Sequence, residues 1–165
     1  MSSAVLAKAG THLPVISWQL VRFEEITPRD LHDALQLRSA VFVVEQNCVF
    51  LDVDGADPPC WHLLGRGADG VLVAYARLVP PGVKYAEPSI GRVVSSTAER
   101  RTGAGRALMH EAVRHAEALW PGHNLKIGAQ MYLKAFYESF GFVQTSEPYD
   151  EDGILHIEMV REAGK

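Results

Sequence analysis

The stretch from Glu99 to Val113, ERRTGAGRALMHEAV, sets Arg100, Arg101 and Arg106 around Gly103 and Gly105, at the head of an apolar-periodic run. A helix start carries unpaired N–H groups and a partial positive charge, so it attracts anions. Gly103 and Gly105 remove Cβ atoms where a ligand would approach the backbone, and they allow positive φ. The arginines add charge complementary to a diphosphate. On these residues alone two readings stand side by side, a phosphate cradle and a solvated basic turn. A dinucleotide fingerprint is excluded, because its third glycine would stand where the chain has Leu108. A Walker loop is excluded too, since no Gly-Lys-Ser/Thr follows at the required spacing.

Other groups able to do chemistry each have a bland counterpart. Tyr137 lies in an apolar stripe with Leu133, Phe136 and Phe140, where a core tyrosine fits equally well. Glu45 follows the apolar run VFVV, which puts it either half-buried with a raised pKa or at an exposed helix end. His62 and His156 fall in strand-like segments as bases or as structural histidines. Cys48, Cys60 and His62 match no zinc spacing, and no metal is expected. In DVDGAD, Gly55 comes too early for a calcium loop, so Asp52, Asp54 and Asp57 read as turn formers. YDEDG reads as a solvated loop that could draw a cationic amine.

These groups need a scaffold to hold them. With 165 residues and 47% apolar content the chain can bury one core, so one domain over residues 16–165 is expected, after a loosely held tail over 1–15. The net charge of −4 makes the basic cluster a local feature and argues against nucleic-acid binding. Two cysteines fit a reducing, cytoplasmic setting, and no signal peptide or membrane span is read. SWQLVRF predicts a first strand. Thr27 as N-cap, Pro28 and Asp30 then open a helix whose apolar face is Leu31, Ala34 and Leu35. Residues 48–61 predict a loop, WHLLGR and VLVAYARLV strands joined by an Asp-Gly hairpin, and SIGRVVS a further strand. A long helix follows from about Gly105 to Trp120, buried through Leu108, Met109, Ala112, Val113, Ala116 and Leu119. LKIGAQ, a helix ending before Gly141, and ILHIEMVR complete the order β-α-β-β-β-α-β-α-β. That order predicts an α/β fold, a mixed sheet with helices on both faces.

Two of these segments together resemble the GCN5-related N-acetyltransferase (GNAT) superfamily. RRTGAG is similar to its Arg/Gln-x-x-Gly-x-Gly/Ala signature, and QMYLKAFYESFGF to its Asn-x-x-Ala…Tyr…Gly-Phe segment. LRSAVFVVEQNC, DVDGAD, IGRVV and YDEDGILHIEM further resemble the ElaA-like branch, so the likeness runs from Trp18 to Met159. It implies the GNAT fold, with a central, mostly antiparallel sheet, and acetyl-CoA as co-substrate. The diphosphate would lie on Arg100, Arg101, Thr102, Gly103, Ala104, Gly105 and Arg106, and the pantetheine arm along Val93, Val94 and Ser95. Gln130 stands where the family commonly has an Asn that touches the cofactor, and Leu155 where the branch would have Pro.

Acetyl transfer needs a neutral amine, although an alkylammonium has a pKa of about 10.4. It also needs donors for the developing oxyanion and a proton for the departing thiolate. The resemblance gives the oxyanion to the N–H of Val93 or Val94 and the proton to Tyr137. Glu45, His62, His156 or a water chain would take up the amine proton. The expected acceptor is a small molecule or peptide with a primary amine. A non-catalytic acyl-CoA-binding module and a nucleotide-phosphate binder are the rival readings, and exposed strand edges are compatible with a homodimer.

Overall fold

A computed structural model describes residues 15–165, so the tail expected over 1–15 lies, but for Val15, outside the described residues. Strands β1 (Ser17–Arg22), β2 (Trp61–Arg66), β3 (Leu72–Val79) and β4 (Ser89–Ser95) pair antiparallel in that order. Strand β8 (Ile154–Arg161) pairs antiparallel with β5 (Leu125–Gln130) on one edge. Its other edge takes two short strands, β6 (Val143–Gln144) and β7 (Tyr149–Glu151). Those two are additions to the expected order, being too short to show a period in sequence.

Between the two sheets, β4 and β5 lie side by side only at their starts, where Lys126 N–H donates to Pro88 O over 3.0 Å. No ladder joins them further along among the described residues. This splay leaves backbone of both strands facing a gap.

Alternation on β2 and β3 explains why helices cover both faces. Leu63, Ala74, Ala76 and Leu78 pack against Leu108, Met109, Ala112 and Ala116 of α2 (Ala104–Leu119). On the opposite face Leu64, Leu72, Tyr75 and Val94 meet Ala34 of α1 (Pro28–Arg38) and Val41 of the π-helical turn Ser39–Glu45. Thr27 Oγ1 caps α1 by accepting from Asp30 N–H (3.1 Å), as its sequence predicts. Helix α3 (Lys134–Glu138) is a single turn, shorter than the apolar stripe implies. Gly141 at φ +88 ends it, and Phe142 N–H closes back on Tyr137 O.

The aspartates of DVDGAD are more than turn formers. Arg38, on the last turn of α1, is fully buried, and its Nε donates to Asp52 Oδ2 (3.0 Å). Its Nη1 donates to Asp57 Oδ1 (2.8 Å). Arg77 of β3 donates Nη1 to the same Asp57 oxygen (3.0 Å) and to Asp54 Oδ1 (2.9 Å). Burial works to raise the Asp57 carboxyl, but hydrogen bonds from Arg38 and Arg77 outweigh it and hold it low. Asp54 does keep a turn role, accepting from Ala56 N–H (3.1 Å). The loop between Glu45 and Trp61 is thus clamped to α1, β3 and β4 by charge where it has few apolar anchors.

Candidate active site

The β3–β4 ladder runs from Tyr75↔Val94 to Arg77↔Gly91, leaving Arg92 and Val93 as a bulge opposite Ala76. Arg92 adopts φ +48, an unusual backbone for a side chain of its size. Its guanidinium holds that shape from outside the strand. Nε donates to Asp52 Oδ1 (2.9 Å), Nη2 to Asp52 O (3.1 Å) and to Asp54 Oδ2 (3.2 Å). The ring of Phe50 lies beneath it, 5.4 Å from centroid to guanidinium carbon. Asp52 therefore bridges two arginines, Arg38 of the core and Arg92 of the bulge.

A cleft of about 1160 Å³ opens along the splay. It brings Val93, Val94 and Ser95 together with Gln130, Tyr137, Arg100 and Glu45. The rest of the glycine loop, Arg101 to Arg106, follows directly from Arg100 but forms no part of this wall. Within it Arg101 takes φ +63 and Gly103 φ +92, and Thr102 Oγ1 turns back to Glu99 O (2.5 Å). No side chain caps α2, whose first internal bond is Ala107 N–H to Gly103 O (3.0 Å). The N–H groups ahead of it are left for a ligand or solvent. Nothing lies within 4 Å of where a Cβ on Gly105 would stand. Arg106 points elsewhere than expected: Nη1 donates to Ser139 Oγ (3.2 Å) and its guanidinium lies over the Phe140 ring.

Tyr137 sits at once in the core and on the cleft wall. Its ring meets Phe136 and Phe142 edge to face, and the residue is 8% exposed. Burial, then the neighbouring Tyr132, push its hydroxyl up to about 12, so it stays a proton donor at neutral pH. Gln130 Nε2 reaches across to Gln46 Oε1 (3.3 Å).

Of the two readings of Glu45, the structure excludes the half-buried, high-pKa base and gives the exposed helix end. Glu45 is exposed and receives both Nη groups of Arg100, Nη2 at 2.7 Å from Oε2. That hydrogen-bonded pairing holds its carboxyl below the usual range. His62 is a structural histidine. Only a donor can face a carbonyl, so Nε2–H bonds Asp57 O (3.0 Å) and Nδ1 accepts from Tyr75 Oη (2.6 Å). Burial lowers its pKa, and it is 1% exposed. His156 lines the cleft with both ring nitrogens facing oxygen, Ile154 O at 2.8 Å and Glu151 Oε2 at 3.2 Å.

YDEDG is not a plain loop. It is the β7–β8 hairpin, with Asp152 at φ +53 and Gly153 at φ +82 between paired Glu151 and Ile154. The Asp-Gly pair was the sequence signal for it. Cys48 Sγ donates to Asp152 O (3.4 Å) and ties this hairpin to the arginine-clamped loop. Sequence reasoning also missed Arg77, Lys84 and Arg92 on the cleft wall. Among the described residues no group of side chains is arranged to hold a metal ion, and no helix is long and apolar enough to cross a membrane.

Comparison with known proteins follows the same lines. The acetyltransferase (GNAT) domain family matches residues 62–163. Over 145 residues the chain is 47% identical to a UPF0039 protein of Synechocystis, covering 88% of this chain and 94% of that protein. The crystal structure of Escherichia coli ElaA superposes with a TM-score of 0.84 at 43% identity, covering 90% of this chain and 100% of that one. An acyl-CoA N-acyltransferase from Pseudomonas aeruginosa also superposes at 0.84, with 42% identity, covering 89% of this chain and 99% of that one.

Proposed function

Because the chain belongs to the GNAT acetyltransferase family, we propose that it moves an acetyl group from acetyl-CoA to a primary amine by direct attack in a ternary complex. One observation carries this reading: a protonated, half-core tyrosine and a bulged strand line the same cleft, with Arg100 on its wall and the uncapped start of α2 a few residues on. The N–H groups of Ala104, Gly105 and Arg106 bind the diphosphate, joined by Arg100 and Arg101. Gly103 and Thr102 shape the turn. Val93, Val94 and Ser95 bond the pantetheine arm by their backbone, and Gln130 steadies it from β5.

As the amine nitrogen attacks, the acetyl carbonyl oxygen gathers negative charge and takes the N–H of Val93, held outside the ladder by the bulge. The carbon–sulfur bond then breaks, the Tyr137 hydroxyl gives its proton to the leaving thiolate, and the proton shed by the attacking nitrogen passes through cleft water to restore the phenol. An ammonium acceptor must first lose a proton. Glu45, exposed and held low by Arg100, is a poor base for it. Water in the open cleft takes that role. Residues 16–165 act here as one domain.

An acetyl-CoA consumption assay over amines, polyamines, aminoglycosides and peptides tests this reading, with calorimetry of CoA beside it. Turnover of at least one amine is expected. Binding of acetyl-CoA without any transfer would leave an acyl-CoA-binding module, and no CoA binding would end the reading altogether.

A further inference from the structure

On the face of β5 that carries Gln130, the residue two places earlier is Gly128. A Cβ there would stand 3.1 Å from Tyr85 Oη, 3.1 Å from Tyr149 Oη and 3.6 Å from Lys84 Nζ. Three polar groups, two from the β3–β4 loop and one from strand β7, thus converge on one point of a strand that has no side chain to fill it. Gly128 and Lys84 both line the cleft.

Two carboxylates stand nearby: Glu158 pairs with Lys126 (2.9 Å), and Glu151 lies against His156 (3.2 Å) with its charge also reaching Lys84. Lys84 has no salt bridge among the described residues; its Nζ lies over the Tyr85 ring, 5.2 Å from the centroid. Lys126 holds the same ring at 4.8 Å, and the Tyr149 ring stacks on His156 at 6.0 Å. The donors are therefore fixed before any ligand arrives. Burial raises both phenols, so they stay protonated at neutral pH, and Lys84, exposed to solvent, offers its charge to an incoming anion.

We propose that Lys84, Tyr85 and Tyr149 form an oxyanion-binding subsite, so that the acceptor is an amine that also carries a carboxylate or phosphate. This rests on the cleft being an acyl-transfer site. Two residues of strand separate Gly128 from Gln130 by about 6.6 Å. That spacing suits an amine a few methylenes from its anion. The anion seats over Gly128 while the amine reaches the splayed ends of β4 and β5.

Matched pairs test it: 4-aminobutyrate against butylamine, and phosphoethanolamine against ethanolamine, in the acetyl-CoA assay. For wild type, kcat/KM is expected to favour at least one anionic partner by about tenfold or more. The preferred pair identifies carboxylate or phosphate. Lys84→Met should collapse that ratio toward one through KM, and Lys84→Arg should restore much of it, with CoA affinity alike in all three proteins. Equal rates within both pairs, or a ratio that survives Lys84→Met, would overturn the subsite. If no amine is turned over, the transferase reading fails by itself, and calorimetry on CoA-loaded protein reads the subsite directly. Binding of 4-aminobutyrate or phosphoethanolamine, lost in Lys84→Met, supports it. If neither binds better than its partner without the anion, the subsite is removed.

Discussion

Glu45 and Arg100, 55 residues apart in sequence, grip each other through two hydrogen bonds on the wall of the cleft. The guanidinium proposed to meet the CoA diphosphate is therefore already engaged by a carboxylate. Both side chains are exposed, so the pair adds little to stability and can exchange partners readily.

Glu45→Gln should free Arg100 and tighten CoA, by no more than about fivefold for an exposed pair. Calorimetry of CoA with both proteins measures it, and weaker binding in the variant would contradict the competition. The pH dependence has a definite sign. Arg100 holds the Glu45 carboxyl low, so the pair is intact at neutral pH and dissolves only as pH falls below the ordinary carboxylate range. The affinity gap between the two proteins should hold from pH 6 to 8.

Tyr137→Phe removes one hydroxyl and keeps the ring that packs on Phe136 and Phe142. Turnover should fall by about 100-fold or more, within the range for a lost general acid, while CoA affinity holds within about twofold. The wild-type profile carries a second mark. An ordinary phenol would begin to fail as a donor near pH 10. Tyr137, pushed up to about 12, should show no falling limb before then. A limb near 10 that disappears in the variant would show the phenol to be unshifted.

Asp57 accepts from two buried arginines with a single oxygen, 2.8 Å from Arg38 and 3.0 Å from Arg77. Asp57→Ala leaves one buried Arg38 donor without its partner while Asp52 still balances the charge, and should cost about 1–3 kcal/mol in urea unfolding. Asp54 and Asp57 both sit below their unfolded values. Burial opposes this in each, but their arginine hydrogen bonds prevail. The stability they add is present above the ordinary carboxylate pKa and drains away as pH falls through their depressed folded values. Acid unfolding of wild type should therefore be steep below about pH 4, where these carboxylates begin to take up protons in the unfolded chain.

How far the sequence could carry this is visible in single residues. Leu108, Met109, Ala112 and Ala116 declared α2 by spacing alone, and all four are buried. Thr27 and Pro28 declared the start of α1 by capping chemistry. Arg38 gave no such sign. It looked like a last-turn arginine, and the partners that justify its burial lie 14 and 19 residues away, in a loop without periodicity. Lys84 and Tyr85 were hidden for the same reason, since only the folding of their loop onto Gly128 gives them a common target. Tyr137 was legible as core by its spacing, and it is buried among aromatics on the wall of the cleft. At Glu45 the sequence left burial and exposure open, and the π-helical turn formed by the apolar run before it leaves Val44 and Glu45 exposed at its end.

Gly105 separates a glycine kept for the fold from one kept for a ligand. Gly103, its neighbour but one, sits at φ +92, where alanine would be strained by about 1–2 kcal/mol. Gly105 is inside α2 and has open space where a Cβ would go. Alanine there should leave the melting temperature unchanged or raise it, since it favours helix by up to about 1 kcal/mol over glycine. The same methyl group would stand at the N–H groups proposed for the diphosphate, so CoA should bind about tenfold more weakly or worse, as expected when a charge-assisted hydrogen bond is lost. Thermal melts and CoA calorimetry on Gly105→Ala and Gly103→Ala decide between the two uses. A Gly105→Ala protein that keeps wild-type CoA affinity would take the diphosphate away from the start of α2.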